Sequence, residues 1–458
     1  MRPALRVISL VGILLLIWSV LFAPTFRYPF HWDDFHLIRP YTGSELLSVF
    51  HGQLDPDKIE TPGLRPVSVL LFNFQGSLLG ENIVLQRIFL LALMAILLCL
   101  VGILLSELGL RFIQIAIVFA LFVSSRVFAS LVLWICLSHV IQAYVFIVLT
   151  AYFFVLWVKR RRIVFFVVML ACAIIATFNR EEAYTLPVVL PLLWLISSPE
   201  RAHWREVLLA ALSLLVIVCF HYWLWHFLIP EALSPRFTLG AAGRFLKTIA
   251  ASCLPGGFRM IGPTDQLIGL LWLAFLITLI VIFFKTSRPH IRMQFLGTGC
   301  AGIILSLPAI GVARAFGIAL PTLAFMTAVS IAIVEVYREI QARRWQRYVF
   351  LGTVLVGLAV GVGGGVRRSF YVAQSLQQSC AVRAERDGEF LFNLFTQSAT
   401  IPETRRQTGI ARLSALGIKS ADDVKHLRRD LNQNHGRYER NKDDQGLLFQ
   451  SKYEYLSF

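Results

Sequence analysis

Charge is what this chain has least of. Only 15% of its 458 residues are Asp, Glu, Lys or Arg while 57% are hydrophobic, a balance outside the range of soluble globular domains. Acidic residues are scarcest, 27 against 43 Lys and Arg, which leaves a formal charge of +16. That excess does not point to nucleic acid, because the basic residues are scattered between apolar runs and form no single stripe. The seven cysteines, Cys99, Cys136, Cys172, Cys219, Cys253, Cys300 and Cys380, include no Cys-x-x-Cys pair, so neither a zinc site nor a disulfide framework is indicated. Gly361 and Gly363-Gly364-Gly365 lack the Lys-Ser/Thr of a phosphate-binding loop and follow no strand; they mark close packing or the end of the last helix. The first apolar run, 5–23, ends at Pro24-Thr25-Phe26-Arg27 without a small-x-small cleavage site, and reads as a retained helix.

What the chain has in abundance is long apolar segments. They predict an all-α polytopic membrane protein with eleven helices near 5–23, 86–105, 109–125, 139–158, 163–178, 183–197, 207–229, 267–284, 294–308, 316–336 and 348–366. The apolar run 127–158 exceeds one span, so 127–137 is read as an interfacial or re-entrant piece that brings Ser138-His139 near an aqueous face. Lys and Arg then select the orientation. With a cytoplasmic N-terminus, sixteen of them fall in short cytoplasmic loops, among them Arg111, the run 159–162, Arg205, Arg288 and Arg338, and the C-terminus is extracytoplasmic. The other side carries twelve over much longer segments, chiefly the connections 24–85 and 230–266. Within the first, 44–50 looks amphipathic and 67–79 is too short to span, as expected of a segment lying in the interface. Residues 367–458 form a small polar extension with 15 Lys and Arg, 11 Asp and Glu and no catalytic spacing.

Chemistry is to be sought on the side with the long loops. His31-Trp32-Asp33-Asp34-Phe35 sets two adjacent carboxylates just after the first helix, where they cost solvation unless something uses or neutralises them. The same topology sends Arg65, His139, Gln142, Arg180, Glu181, Glu182, Arg236, Arg244 and Arg314 to that rim, together with Arg39 and His226. The helix interiors hold almost no charge, which supplies a midplane transport site poorly and suits chemistry at the interface. Arginines at headgroup level hold a lipid phosphate in bidentate fashion. A carboxylate there can take the proton of an attacking sugar hydroxyl. Of Asp33 and Asp34, one fits the base; the other can hold it, bind a sugar hydroxyl or ligate a divalent cation such as Mg or Mn. Plainer readings stand beside these. Arg65 can be a lipid anchor, Arg180 to Glu182 an ordinary loop, and His139 and Gln142 a helix-helix hydrogen bond; His221 and His226, among Phe, Tyr and Trp, read as an interfacial aromatic belt.

Three stretches carry a family likeness: HWDDF in the first outer loop, GLRPVSVLLFNFQGSLLG from Gly63 to Gly80, and FNREEAYTLP from Phe178 to Pro187. With these the chain resembles the GT-C superfamily of polytopic glycosyltransferases that use polyprenyl-phosphate-linked sugars, over roughly residues 5–230. The resemblance implies a GT-C-like bundle with the catalytic role at Asp33 or Asp34. It also implies an Arg-Pro opening an interfacial segment at Arg65-Pro66 and an Arg-Glu-Glu element near the site. The expected activity is inverting sugar transfer from a polyprenyl phosphate donor to a hydroxyl of a glycan, lipid or protein, on the periplasmic side of a bacterial inner membrane. A lipid or glycolipid flippase and a non-catalytic assembly subunit are the alternatives.

Overall fold

The computed structural model describes residues 3–27, 37–51, 64–80, 82–197, 204–229, 263–310, 318–340 and 348–370, with single positions 243, 245, 246, 249, 253, 373 and 407. Asp33, Asp34, Arg236, Arg244, Arg314 and nearly all of the C-terminal extension lie outside the described residues.

Among the described residues the chain is helical. In order come α1 (Pro3–Leu21), α2 (Gly43–Val49), α3 (Pro66–Leu78), α4 (Ile83–Glu107), α5 (Phe112–Ser124), α6 (Arg126–Leu133) and α7 (Ser138–Arg160). They are followed by α8 (Ile163–Thr177), α9 (Leu186–Ser197), α10 (Trp204–Leu228), α11 (Pro263–Thr286), α12 (Pro289–Leu305), α13 (Ala319–Glu339) and α14 (Tyr348–Phe370). The described part of each of the eleven expected apolar segments is largely helical. Seven of them are long and apolar enough to cross a membrane, or eight if the bent pair α5–α6 counts as one span, as in a polytopic helical membrane protein. The count of eleven crossings goes further than that, because α5, α8, α9 and α12 have 13, 15, 12 and 17 residues. At 1.5 Å per residue such helices rise about 18–26 Å, short of a hydrocarbon core of about 30 Å.

Local chemistry sets the breaks. Ser125 is extended at φ −72° and ψ 152°, closes α5, and caps α6 by accepting from the Phe128 backbone N–H, so the axis turns by 61°. All eight residues of α6 are buried. It is a separate buried piece covering 126–133 of the expected 127–137, whereas the turn Ile135–Leu137 runs directly into α7 as part of one span. Asn82 caps α4 through the Leu85 N–H, and Thr42 and Glu45 form a capping box on α2. Pro66 opens α3 at a position where its missing N–H costs nothing. The expected helix start at 183 falls instead within a 3-10 turn, Glu181–Thr185, and α9 begins at Leu186.

Helices α7 and α13 form the centre, with 72% and 78% of their spans buried, whereas α1 and α10 at 17% and 22% turn Leu16, Val20, Val216 and Phe227 outward as a lipid-facing surface would. Glycines of α14 allow close packing on α11 and α5. A Cβ on Gly361 would meet Trp272, on Gly364 Ile268, and on Gly365 the Ser124 carbonyl. These glycines therefore sit inside the last helix and do not end it.

The helix ends gather in two groups. At one, Lys159 pairs with Glu107 at 3.2 Å, Arg161 with Glu206 at 3.6 Å and Arg288 with Glu339 at 3.5 Å, joining the loops that the basic-residue count assigns to one side. At the other, α3 lies across the starts of α4 and α7 and the turn after α8, bonded to each. Residues 37–41, the far flank of the acidic loop, are pressed onto it. Leu37, Ile38 and Tyr41 share a buried cluster with Val69, Phe72 and Cys136, and the Tyr41 N–H donates to Asn73 Oδ1 at 2.8 Å. Arg39 caps this corner, forked to Glu45 at 3.0 and 3.2 Å with its guanidinium 4.0 Å from the Tyr41 ring. Burial alone would raise the Glu45 pKa, but Arg39 and the Thr42 bonds outweigh it and bring it down to about 2.

Gly76 permits that contact, since a Cβ there would collide with the Arg39 backbone. Gly76→Ala is expected to lower stability in detergent by about 1–3 kcal/mol as the 37–41 flank is pushed off. Gly12→Ala, with nothing within 4 Å, should be neutral or stabilising in the same thermal melt.

Candidate functional site

The turn between α8 and α9, Phe178 to Thr185, is the hub of the end that carries α3. Asn179 is fully buried; its Nδ2 donates to Gln142 Oε1 at 2.9 Å and its Oδ1 accepts from Ser68 Oγ at 2.6 Å. The Val67 N–H reaches the Phe178 carbonyl at 3.4 Å. These bonds lay the first turn of α3 against this hub and set Arg65, its N-cap, above Glu181. Arg65 grips Glu181 with both nitrogens of one edge, Nε to Oε1 at 2.9 Å and Nη2 to Oε2 at 2.8 Å. The residues on either side of Glu181 repeat the fork. Arg180 holds Glu182 through Nε and Nη2, both at 2.8 Å, and its Nη1 donates to His139 Nε2 at 3.1 Å. A carbonyl only accepts, so the 2.6 Å contact from His139 Nδ1 to the Cys136 oxygen fixes the proton on Nδ1 and leaves Nε2 as acceptor for Arg180.

Six of the expected site residues, Arg65, His139, Gln142, Arg180, Glu181 and Glu182, are thereby brought into one network drawn from three separate segments. They do not form an arginine cluster open to an anion. Two guanidinium groups face two carboxylates, and the balance is zero. For Glu181 and Arg180 burial works against the charge and the partners outweigh it: the Glu181 carboxyl is held below its usual range by Arg65 and then Arg180, and Arg180 is pushed above its own by Glu182. The two forks differ in access. In the Arg65 pair the side chains keep 22% and 20% of their exposure, in the Arg180 pair 11% and 8%. The Arg65 fork leaves its Nη1 edge over for a further acceptor; the Arg180 fork is an internal brace.

Besides Asn179 and Ser68, two residues bonded to this end are not singled out by the sequence. His221, expected in an aromatic belt, is 1% exposed and bonded at both nitrogens, to the Tyr184 hydroxyl at 2.6 Å and the Leu64 carbonyl at 3.1 Å. The belt is carried instead by its exposed neighbours Tyr222, Trp223 and Phe227. Tyr184 stands three residues after Glu181, and that spacing was its only signal; burial, then the Glu181 charge, push its pKa up.

Asp33 and Asp34, the expected catalytic pair, lie outside the described residues with Arg236, Arg244 and Arg314. Glu181 and Glu182 each face a guanidinium, and among the described residues no group of three or more His, Cys, Asp or Glu converges. A cation held by Asp33 or Asp34 concerns residues outside that description. No family model, curated protein or solved structure matches the chain.

The depressed Glu181 pKa sets a sign. A carboxylate held below its unfolded value of about 4.3 contributes its full stability above that pH and loses it as the pH falls through the folded value. Glu181→Gln should therefore melt below the native protein by a constant margin from pH 7 to 5, about 2–3 kcal/mol for a half-buried fork. The margin should narrow below about pH 4, where the unfolded chain takes up a proton that the folded carboxylate resists, and vanish once the pH has fallen through the lowered folded value.

Proposed function

We propose that this protein is a membrane glycosyltransferase that moves a sugar from a polyprenyl phosphate donor to a hydroxyl of a cell-envelope glycan, lipid or protein. The observation that carries the reading is the Arg65–Glu181 fork at the end of the bundle onto which the acidic loop is tied. Asp34 is three residues from Leu37, and three peptide steps reach at most about 11 Å. Leu37 packs with Phe72, whose ring stands 5.1 Å from His139. Covalent reach thus supports an acidic pair that works beside the arginine network.

In this reading the work is divided. Both oxygens of Glu181 and of Glu182 are committed to an arginine fork, so the base is Asp33 or Asp34. The acceptor oxygen attacks the anomeric carbon as the aspartate takes its proton, and the bond from that carbon to the phosphate oxygen breaks from the opposite face. The leaving polyprenyl phosphate keeps the electron pair, and its growing charge is met by the Nη1 edge of Arg65, with inversion at carbon. Arg236, Arg244 and Arg314 are further candidates for the phosphate. A periplasmic active site in a bacterial inner membrane, an N-terminus in the cytoplasm and an extracytoplasmic 367–458 extension belong to the same proposal.

Asp33→Asn and Asp34→Asn, assayed separately with a polyprenyl-phosphate sugar, should cost at least one variant about 100-fold or more in kcat. Cells carrying that variant should accumulate the lipid-linked sugar. Full activity in both variants would remove the mechanism, and movement of the lipid across vesicles with no glycosidic product would favour a flippase.

A further inference from the structure

A second path joins the two segments that the Arg65–Glu181 fork connects. Tyr184 follows Glu181 on the same 3-10 turn, and its hydroxyl meets His221 Nδ1 at 2.6 Å. His221 Nε2 meets the carbonyl of Leu64, the residue before Arg65, at 3.1 Å. The carbonyl can only accept, so the ring carries its proton on Nε2, and in the neutral ring Nδ1 accepts from the tyrosine. The bonds close a loop: turn to tyrosine, tyrosine to histidine, histidine to Leu64, and Arg65 back to the turn.

From this geometry we infer that His221 is a positioning residue for Arg65, holding the Leu64 carbonyl so that the arginine fork stays on Glu181 and its Nη1 edge stays presented. The inference rests on the reading of Arg65 as the donor-phosphate contact. Leu64 is 1% exposed, so its carbonyl loses a partner and gains no water if the imidazole is removed. Relief then comes from a shift of the 64–65 backbone, and with it the arginine. The position demands a donor and an acceptor at opposite ends of a flat group. His221 meets that demand inside a cage of Phe178, Tyr184 and Trp225, with ring centroids 4.7, 5.7 and 6.2 Å away. Phenylalanine fills the cage and supplies neither bond; glutamine supplies both.

The test uses the full chain in lipid nanodiscs and three variants, His221→Phe, His221→Gln and Tyr184→Phe. Two readouts are taken: hydrogen exchange at the amides of Val67, Ser68 and Val69, which are bonded to Phe178 and Arg65 carbonyls, and the KM and kcat for a polyprenyl-phosphate sugar. His221→Phe should exchange about tenfold faster there and lower kcat/KM about tenfold, with part of the loss in kcat because Arg65 meets the charge that grows on the leaving phosphate. Tyr184→Phe should follow in the same direction by less, and His221→Gln should restore both readouts. Unchanged exchange in His221→Phe, or His221→Gln as impaired as His221→Phe, would overturn the inference, as would an unchanged kcat/KM in His221→Phe. If exchange responds as expected but the native protein transfers no sugar, the positioning role stands and the donor-phosphate reading falls.

Discussion

Two consecutive arginine–glutamate forks hold this end of the molecule together. Each takes two N–H donors and two carboxylate oxygens largely out of water as two charge-assisted hydrogen bonds, and each is stable only because both partners are in place. The Arg180–Glu182 pair, local in sequence, stiffens the turn between α8 and α9 and reaches His139 on α7. The Arg65–Glu181 pair spans 116 residues of sequence and fastens α3 to that turn. With α3 fixed, the 37–41 flank has a floor to pack on, and the loop that bears the acidic pair is anchored at that flank.

A neutral network is physically compatible with the phosphate contact proposed for Arg65. Unpaired guanidinium groups at this depth would be costly, and the carboxylates lower that cost; under the proposal a phosphate would share the Arg65 guanidinium. The difference in exposure between the forks separates a brace from a group able to exchange partners. The same balance explains why proton transfer is assigned elsewhere, since a carboxylate gripped by a guanidinium is a weak base. Charge inside the spans is sparse as well. Glu335, 4% exposed in α13, lies one turn from the helix end and meets Arg338 at 3.5 Å.

Much of the helical layout was legible because hydropathy is a local property: each apolar run is largely helical, and Pro66 after Arg65 marked the start of α3. The number of crossings was less legible, since apolarity without length does not make a span, as the 12-residue α9 illustrates. At the site, charge and position brought forward Arg65, His139, Gln142 and the Arg-Glu-Glu element. What they bond to was hidden, because pairing across 37 to 157 residues leaves no periodic trace. His221 was misread for that reason: its neighbours in sequence are aromatic and face outward, while its partners in space are a tyrosine and a carbonyl from two other segments. Asn179 stood beside the element that drew attention and was passed over, although its buried amide joins α3 to α7.

The account depends on the acidic pair and the arginine network facing the same aqueous side. Labelling of intact cells with a membrane-impermeant thiol reagent tests this most directly, using Asp33→Cys, Ser44→Cys and Arg161→Cys in a cysteine-free background. Ser44 marks the end that holds α3 and Arg161 the opposite one. The account requires Asp33→Cys to be labelled from outside together with Ser44→Cys, and Arg161→Cys only after lysis. Labelling of Asp33→Cys together with Arg161→Cys would contradict it.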